Sequence, residues 1–230
     1  MFQITRQERL DDAKRARLVD AAIDEFAERG INSASYNKII ERSGLSKGTV
    51  YYYFDNKDSL LLTVLDEICD RFHSAVGSFE LPDTKEEYWM VAREYDSRAI
   101  RFFFDNPRLW RVLSWISKDV PLREQLKAVR ERITSSMNEL IARGIEVGAV
   151  RGDIPLETAQ RLIHELAKVL AANMLGDFET ESKTPPRSEC MHSEYDCEKE
   201  RAEMEKFIST MHDLGKRVLA PKEDLGCTHF

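Results

Sequence analysis

The stretch from Asn32 to Leu61, NSASYNKIIERSGLSKGTVYYYFDNKDSLL, constrains this chain most, because it sets two short helices around Gly44 and follows them with a basic and aromatic surface. Ser35 is a good helix cap, and Ile39 and Ile40 give the helix after it an apolar side before the turn at Ser43-Gly44. Leu45 fills the turn, and Ser46 caps a second helix. Its first residues, Lys47, Gly48 and Thr49, are small or cationic and favour an anion at the helix start. Two helices joined by a short Gly-containing turn form a helix-turn-helix, whose second helix enters the DNA major groove; a solvated helical hairpin is the plain alternative. Tyr51, Tyr52, Tyr53 and Phe54 then crowd four aromatics onto a helix too short to bury them all. Phe54, with no polar handle, is expected inside. The tyrosine hydroxyls beside Lys47 and Lys57 are expected outside, as phosphate donors, although core tyrosines would also satisfy the pattern.

Leu18, Ala21-Ala22, Phe26, Gly30-Ile31, Ile39, Gly44, Ser46, Gly48-Thr49, Tyr51, Tyr53-Phe54, Lys57 and Leu60 together resemble the TetR family of transcriptional regulators, over about 50 residues. The resemblance implies an all-α, two-domain architecture: a three-helix DNA-binding domain over 12–72, with its helix-turn-helix at about 35–54, and a larger helical effector-binding and dimerisation domain over 73–230. It implies base or phosphate contacts from Ser46, Lys47, Gly48, Thr49, Tyr51, Tyr52 and Tyr53. Backbone contacts would come from Ser35, Tyr36 and Asn37, and a phosphate contact from Lys57, whose helix Asn56 caps. Ile40 departs from the family, which more often has alanine there, and predicts slightly wider helix spacing.

Charge agrees with a local DNA-reading surface. Through Asp58 there are ten basic and ten acidic side chains, so the remainder carries the whole net charge of −7 and repels DNA. The start, MFQITRQERL, has no apolar signal core, and no run approaches a membrane span. A cytoplasmic protein without membrane contact is expected, with Cys69, Cys190, Cys197 and Cys227 reduced and Cys69 in the core.

From Lys57 a helical stripe of Leu60, Val64, Leu65, Ile68 and Phe72 runs to about Val76 without a linker, as a lever between the two domains or as a rigid strut. Gly77, Pro82 and Asp83 break it. Tyr88, Ala92, Tyr95, Ala99 and Phe102 make the next stripe, with Trp89 and Phe103 on a second face, so this helix should be sandwiched between others. Asn106-Pro107 ends it; Leu109, Trp110, Leu113 and Trp115 form a short helix, and Asp119-Val120-Pro121 opens a long one stopped by Gly148. VRGDIP, from Val150 to Pro155, resembles the turn before the family's penultimate helix.

Phe72, Tyr88, Trp89, Tyr95, Phe102, Phe103, Trp110, Trp115 and His164 are the candidates for an effector pocket suited to an apolar or cationic small molecule; ordinary core packing, the stronger reading for any single one of them, explains them too. Leu162, Leu166 and Val169 face the stripe of Phe207, Met211 and Leu214 on the last helix, and the resemblance implies that these helices pair with their copies in a homodimer, intramolecular burial being the alternative. The expected partners are therefore a double-stranded DNA operator, a small-molecule effector and a second copy. Cys190, His192, Cys197, Cys227 and His229 offer soft zinc ligands, but their spacing matches no familiar motif, and no metal site is assigned. No cofactor loop or catalytic motif is present, so an enzyme is not expected.

Overall fold

The computed structural model describes residues 11–116, 123–175 and 194–222, which form helices and no strand. In chain order these are α1 (Asp12–Ser33), α2 (Tyr36–Ser43), α3 (Lys47–Tyr53), α4 (Lys57–Val76), α5 (Lys85–Asp105), α6 (Pro107–Ile116), α7 (Arg123–Glu146), α8 (Leu156–Leu175) and α9 (Glu194–Leu219). The all-α expectation holds, and the helix boundaries follow local chemistry. Asp11 caps α1 through Ala13 N–H at 2.9 Å, and Asn56 Oδ1 caps α4 through Ser59 N–H at 2.9 Å. Pro107, whose missing N–H costs nothing at a helix start, opens α6. No described helix is long and apolar enough to cross a membrane.

The chain packs as two units: one takes the chain to His73 together with Asn106–Ile133, the other Ser74–Asp105 with the chain from Thr134 onward. The second expected domain is thus not contiguous in packing, because α6 and the first half of α7 belong with the helix-turn-helix. The reason is apolar burial. Leu18, Phe26, Ile39, Phe54, Leu60, Leu61, Leu65 and Ile68 are all fully buried, and α6 lays its apolar stripe along α1 to extend that core. Cys69 is buried as expected; its thiol donates to the Val129 carbonyl at 3.8 Å, and burial pushes its pKa up to about 11. Ion pairs rim the same helices: Arg15 and Arg71 meet Glu67, Arg108 meets Asp24, and Arg132 meets Asp66 and Asp70. Exposed pairs of this kind fix register more than they stabilise.

Gly30 interrupts α1 at φ 76°, ψ 162°, a region open essentially to glycine, and the Trp115 ring lies 3.2 Å from where a β-carbon would stand. Backbone strain and overpacking therefore coincide. Gly30→Ala is expected to destabilise the first unit by roughly 2–5 kcal/mol in urea unfolding. Wild-type stability in this variant would mean that α1 straightens and α6 gives way without cost.

In the second unit Tyr88, Tyr95 and Phe102 form the buried stripe of α5, which packs on α9; α8 also lies against α9. Arg93 donates to Ser209 Oγ at 3.2 Å, and Arg101 pairs with Glu205 along the α5/α9 seam. Arg151 N–H donates to the Leu219 carbonyl at 2.7 Å, tying the VRGDIP turn to the end of α9.

Candidate nucleic-acid interface

The reading surface is assembled by caps and one left-handed residue. Ser35 Oγ accepts from Lys38 N–H at the start of α2, and Gly44 closes α2 at φ 67°. Buried Ser43 donates to the Ile40 carbonyl at 2.7 Å and accepts from Leu45 N–H at 3.3 Å, bracing the turn, while Leu45 is half-buried in it. Ser46 Oγ accepts from Thr49 N–H at 3.1 Å and holds α3 by its first turn. Val50 and Phe54 are driven inward, and Ile40 is also buried. A helix of seven residues that buries these positions must present the others.

It exposes Ser46, Lys47 and Gly48, leaves Thr49 and Tyr53 half-buried, and presents Tyr51 and Tyr52 with 48% and 52% of their surface open. Asn37 is exposed beside them, with Ser35 half-buried. Among the described residues Lys47 has no ion-pair partner, so a compact cation stands at the start of an aromatic face. Tyr36 meets the Tyr51 ring edge-on at 5.3 Å, and Tyr52 meets Tyr53 at 4.8 Å, which restricts the rotamers of the exposed rings.

Two expected contact residues have other work in the fold. Lys57 Nζ donates to the carbonyls of Ile31 at 2.7 Å, Asn32 at 3.0 Å and Ala34 at 3.0 Å. An ammonium has three protons, and all three are spent on the orphan carbonyls at the end of α1, so the expected side-chain contact from Lys57 to phosphate is corrected to a helix clamp. Tyr36 donates its hydroxyl to the Phe54 carbonyl at 2.8 Å, closing the end of α3 onto α2. Burial, with Tyr51 and Asp55 nearby, pushes that phenol up to about 12. Sequence reasoning also missed Glu25. Its buried carboxylate accepts from Ser35 N–H at 3.0 Å and faces Arg42 at 3.5 Å, anchoring α2 to α1.

The nine effector candidates are divided between the two units. Phe72, Trp110 and Trp115 lie in the first unit, Trp115 as the lid on Gly30. Phe102 is buried against Phe103, and half-buried His164 does not line the cavity. Tyr88, Trp89 and Tyr95 do line a cavity of about 40 Å³ in the second unit, together with Asp96, His212 and Lys216, which sequence reasoning missed. The hint was Asp96 itself, an acid in mid-helix beside a buried tyrosine; its partner lies on a helix more than a hundred residues away.

Of the expected dimer residues, Leu162 and Val169 leave 44% and 58% of their surface open on α8, with Leu166, Phe207 and Leu214 half-buried. Met211 is buried within its own chain and is removed from the expected seam, because α9 turns that side toward its neighbours in the unit. Cys190, His192, Cys227 and His229 lie outside the described residues, as does the Cys197 side chain. Among the described residues no group of three His, Cys, Asp or Glu is placed to hold a metal.

Residues 18–64, which span α1 to the first two turns of α4, match the family described as bacterial regulatory proteins, tetR family. The chain is 28% identical over 150 residues to the transcriptional activator FasR of Mycolicibacterium smegmatis, covering 61% of this chain and 65% of the relative. It is 26% identical over 195 residues to the transcriptional repressor AcnR of Corynebacterium glutamicum, covering 81% and 88%. A TetR family transcriptional regulator from Chloroflexus aurantiacus has the same fold, with a TM-score of 0.68 at 24% identity over 93% of this chain and 96% of the other. With helix-turn-helix, caps and buried positions in the expected places, residues 18–64 form a DNA-binding segment of the tetR family, and the chain as a whole is similar to TetR family transcriptional regulators.

Proposed function

We propose that this regulator is a repressor that occupies a palindromic operator as a homodimer and leaves it when a small molecule binds the second unit. The exposed α3 face, with unpaired Lys47 beside Tyr51 and Tyr52, carries the reading: these groups supply phosphate contacts and base-edge contacts on one short helix. Ser46, Gly48 and Thr49 frame the start of that face, Ser35 and Asn37 flank it from α2, and Tyr53 packs behind Tyr52. The open α8 stripe at Leu162 and Val169 supports pairing of copies, which sets two heads on two half-sites. Similarity to a repressor over most of both chains favours repression. Transcription of an operator-bearing template with purified protein tests the direction, and higher output on adding protein would make it an activator.

Lys47→Ala is expected to weaken binding to operator and random duplex alike, lowering the slope of log K against log salt by about one unit per subunit. Fluorescence anisotropy across a salt series measures it. An unchanged slope would remove Lys47 from the phosphate contacts.

A further inference from the structure

The second-unit cavity has a chemistry of its own. Its floor is aliphatic, from Met137, Leu140, Ile141 and Ile163, and its wall is Tyr88, Trp89 and Tyr95. At about 40 Å³ it has room for a group of a few heavy atoms rather than a drug-sized molecule. One acid, Asp96, lines it. His212 Nδ1 stands 3.5 Å from the Asp96 carboxylate, a long contact, and the Arg93 guanidinium, one turn back on α5, is turned to the Ser209 hydroxyl. A carboxylate accepts at about four sites, and Asp96, which lines the cavity, has the long His212 contact as its one ion pair among the described residues. Burial raises the Asp96 pKa against the opposing pull of His212 and of the Arg93 charge. The Tyr88 and Tyr95 phenols are pushed up by the same burial and then by the charge of Asp96.

The aromatic wall already holds a cation. Lys216 Nζ lies 5.3 Å from the centre of the Trp89 ring, reaching in from the exposed side of α9. Tyr88 and His212 meet the same indole edge-on at 4.9 and 5.8 Å, fixing its plane.

We propose that this cavity recognises a small organic ammonium ion, with Asp96 as its counter-ion, Trp89, Tyr88 and Tyr95 as its aromatic wall, and Lys216 as an internal placeholder that the ligand displaces. A neutral guest could at most donate a hydrogen bond to Asp96 and would gain no charge attraction, and an anion would be repelled by it. Lys216, on a flexible exposed stem, swings into water at little cost. This names the ligand class for the effector reading above and rests on that reading only for its effect on DNA.

The test titrates tetramethylammonium chloride into the full-length protein without DNA, at constant ionic strength, against tert-butanol and sodium acetate. The indole N–H resonances report binding; the chain has three tryptophans, and Trp89→Phe identifies the signal concerned. A saturable shift of the Trp89 signal with tetramethylammonium alone is expected. Asp96→Asn, nearly isosteric, should weaken it by about tenfold or more, and Lys216→Met, at an exposed position, should tighten it severalfold. Absence of a saturable shift, an equal or stronger response to tert-butanol or acetate, or undiminished binding in Asp96→Asn would overturn the proposal. Operator affinity is then measured with and without the salt of the probe. Binding that leaves operator affinity unchanged keeps the ammonium site and removes it as the effector site; absence of binding with intact operator recognition removes the ligand class and leaves the DNA reading standing.

Discussion

Leu162→Glu combined with Val169→Glu is expected to turn the proposed dimer into folded monomers and to lower operator affinity by about 10²-fold or more. Both side chains leave about half their surface open in the single chain, so the charges are harmless to the protomer. In an isologous interface each change occurs twice, placing four carboxylates where apolar groups met, at a cost of several kcal/mol. The loss at the operator follows from arithmetic: one head held on DNA presents the other at high local concentration, and separated heads bind independently. Sedimentation velocity and operator binding on the same preparation measure the two effects. A variant that sediments as a dimer would move the interface off α8, and a monomer with full operator affinity would remove the need for two heads.

Lys57→Met should cost about 2–3 kcal/mol in urea unfolding while leaving the salt slope of DNA binding unchanged. Methionine keeps the apolar stem and removes the three donors that serve Ile31, Asn32 and Ala34. The bonds to the Ile31 and Ala34 carbonyls are partly buried, so replacement hydration there is incomplete. The DNA measurement is made cold, where the variant stays folded. A slope lowered by about one unit with stability intact would return Lys57 to the phosphate backbone.

The contrast between Lys47 and Lys57 shows where sequence reasoning stops. Both are lysines at helix starts near the same run of tyrosines, although Lys57 also lies between Asp55 and Asp58. Only the fold brings three carbonyls from residues 23 to 26 positions earlier onto Lys57, while leaving Lys47 with no ion-pair partner among the described residues. Tyr36 and Tyr51 differ in the same way, one hydroxyl spent on the Phe54 carbonyl and the other side chain open. The aromatics after Val76 looked like one cluster because helical periodicity reports which face is apolar and says nothing of which neighbour covers it. Trp110 and Trp115 went to one unit, Trp89 and Tyr95 to the other.

What the chain determined by itself is everything set within a few residues: Ser35, Ser46 and Asn56 as caps, Gly44 as the left-handed turn, the inward Phe54, the unbroken α4 from Lys57 to Val76, and with them the helix-turn-helix and its family. Capping and turn geometry are local energies, written in adjacent side chains. The tertiary structure alone decided the Lys57 clamp, the Glu25 anchor, the return of α6 to α1 over Gly30 and the meeting of Asp96 with His212, because each joins groups that approach only after the core has closed.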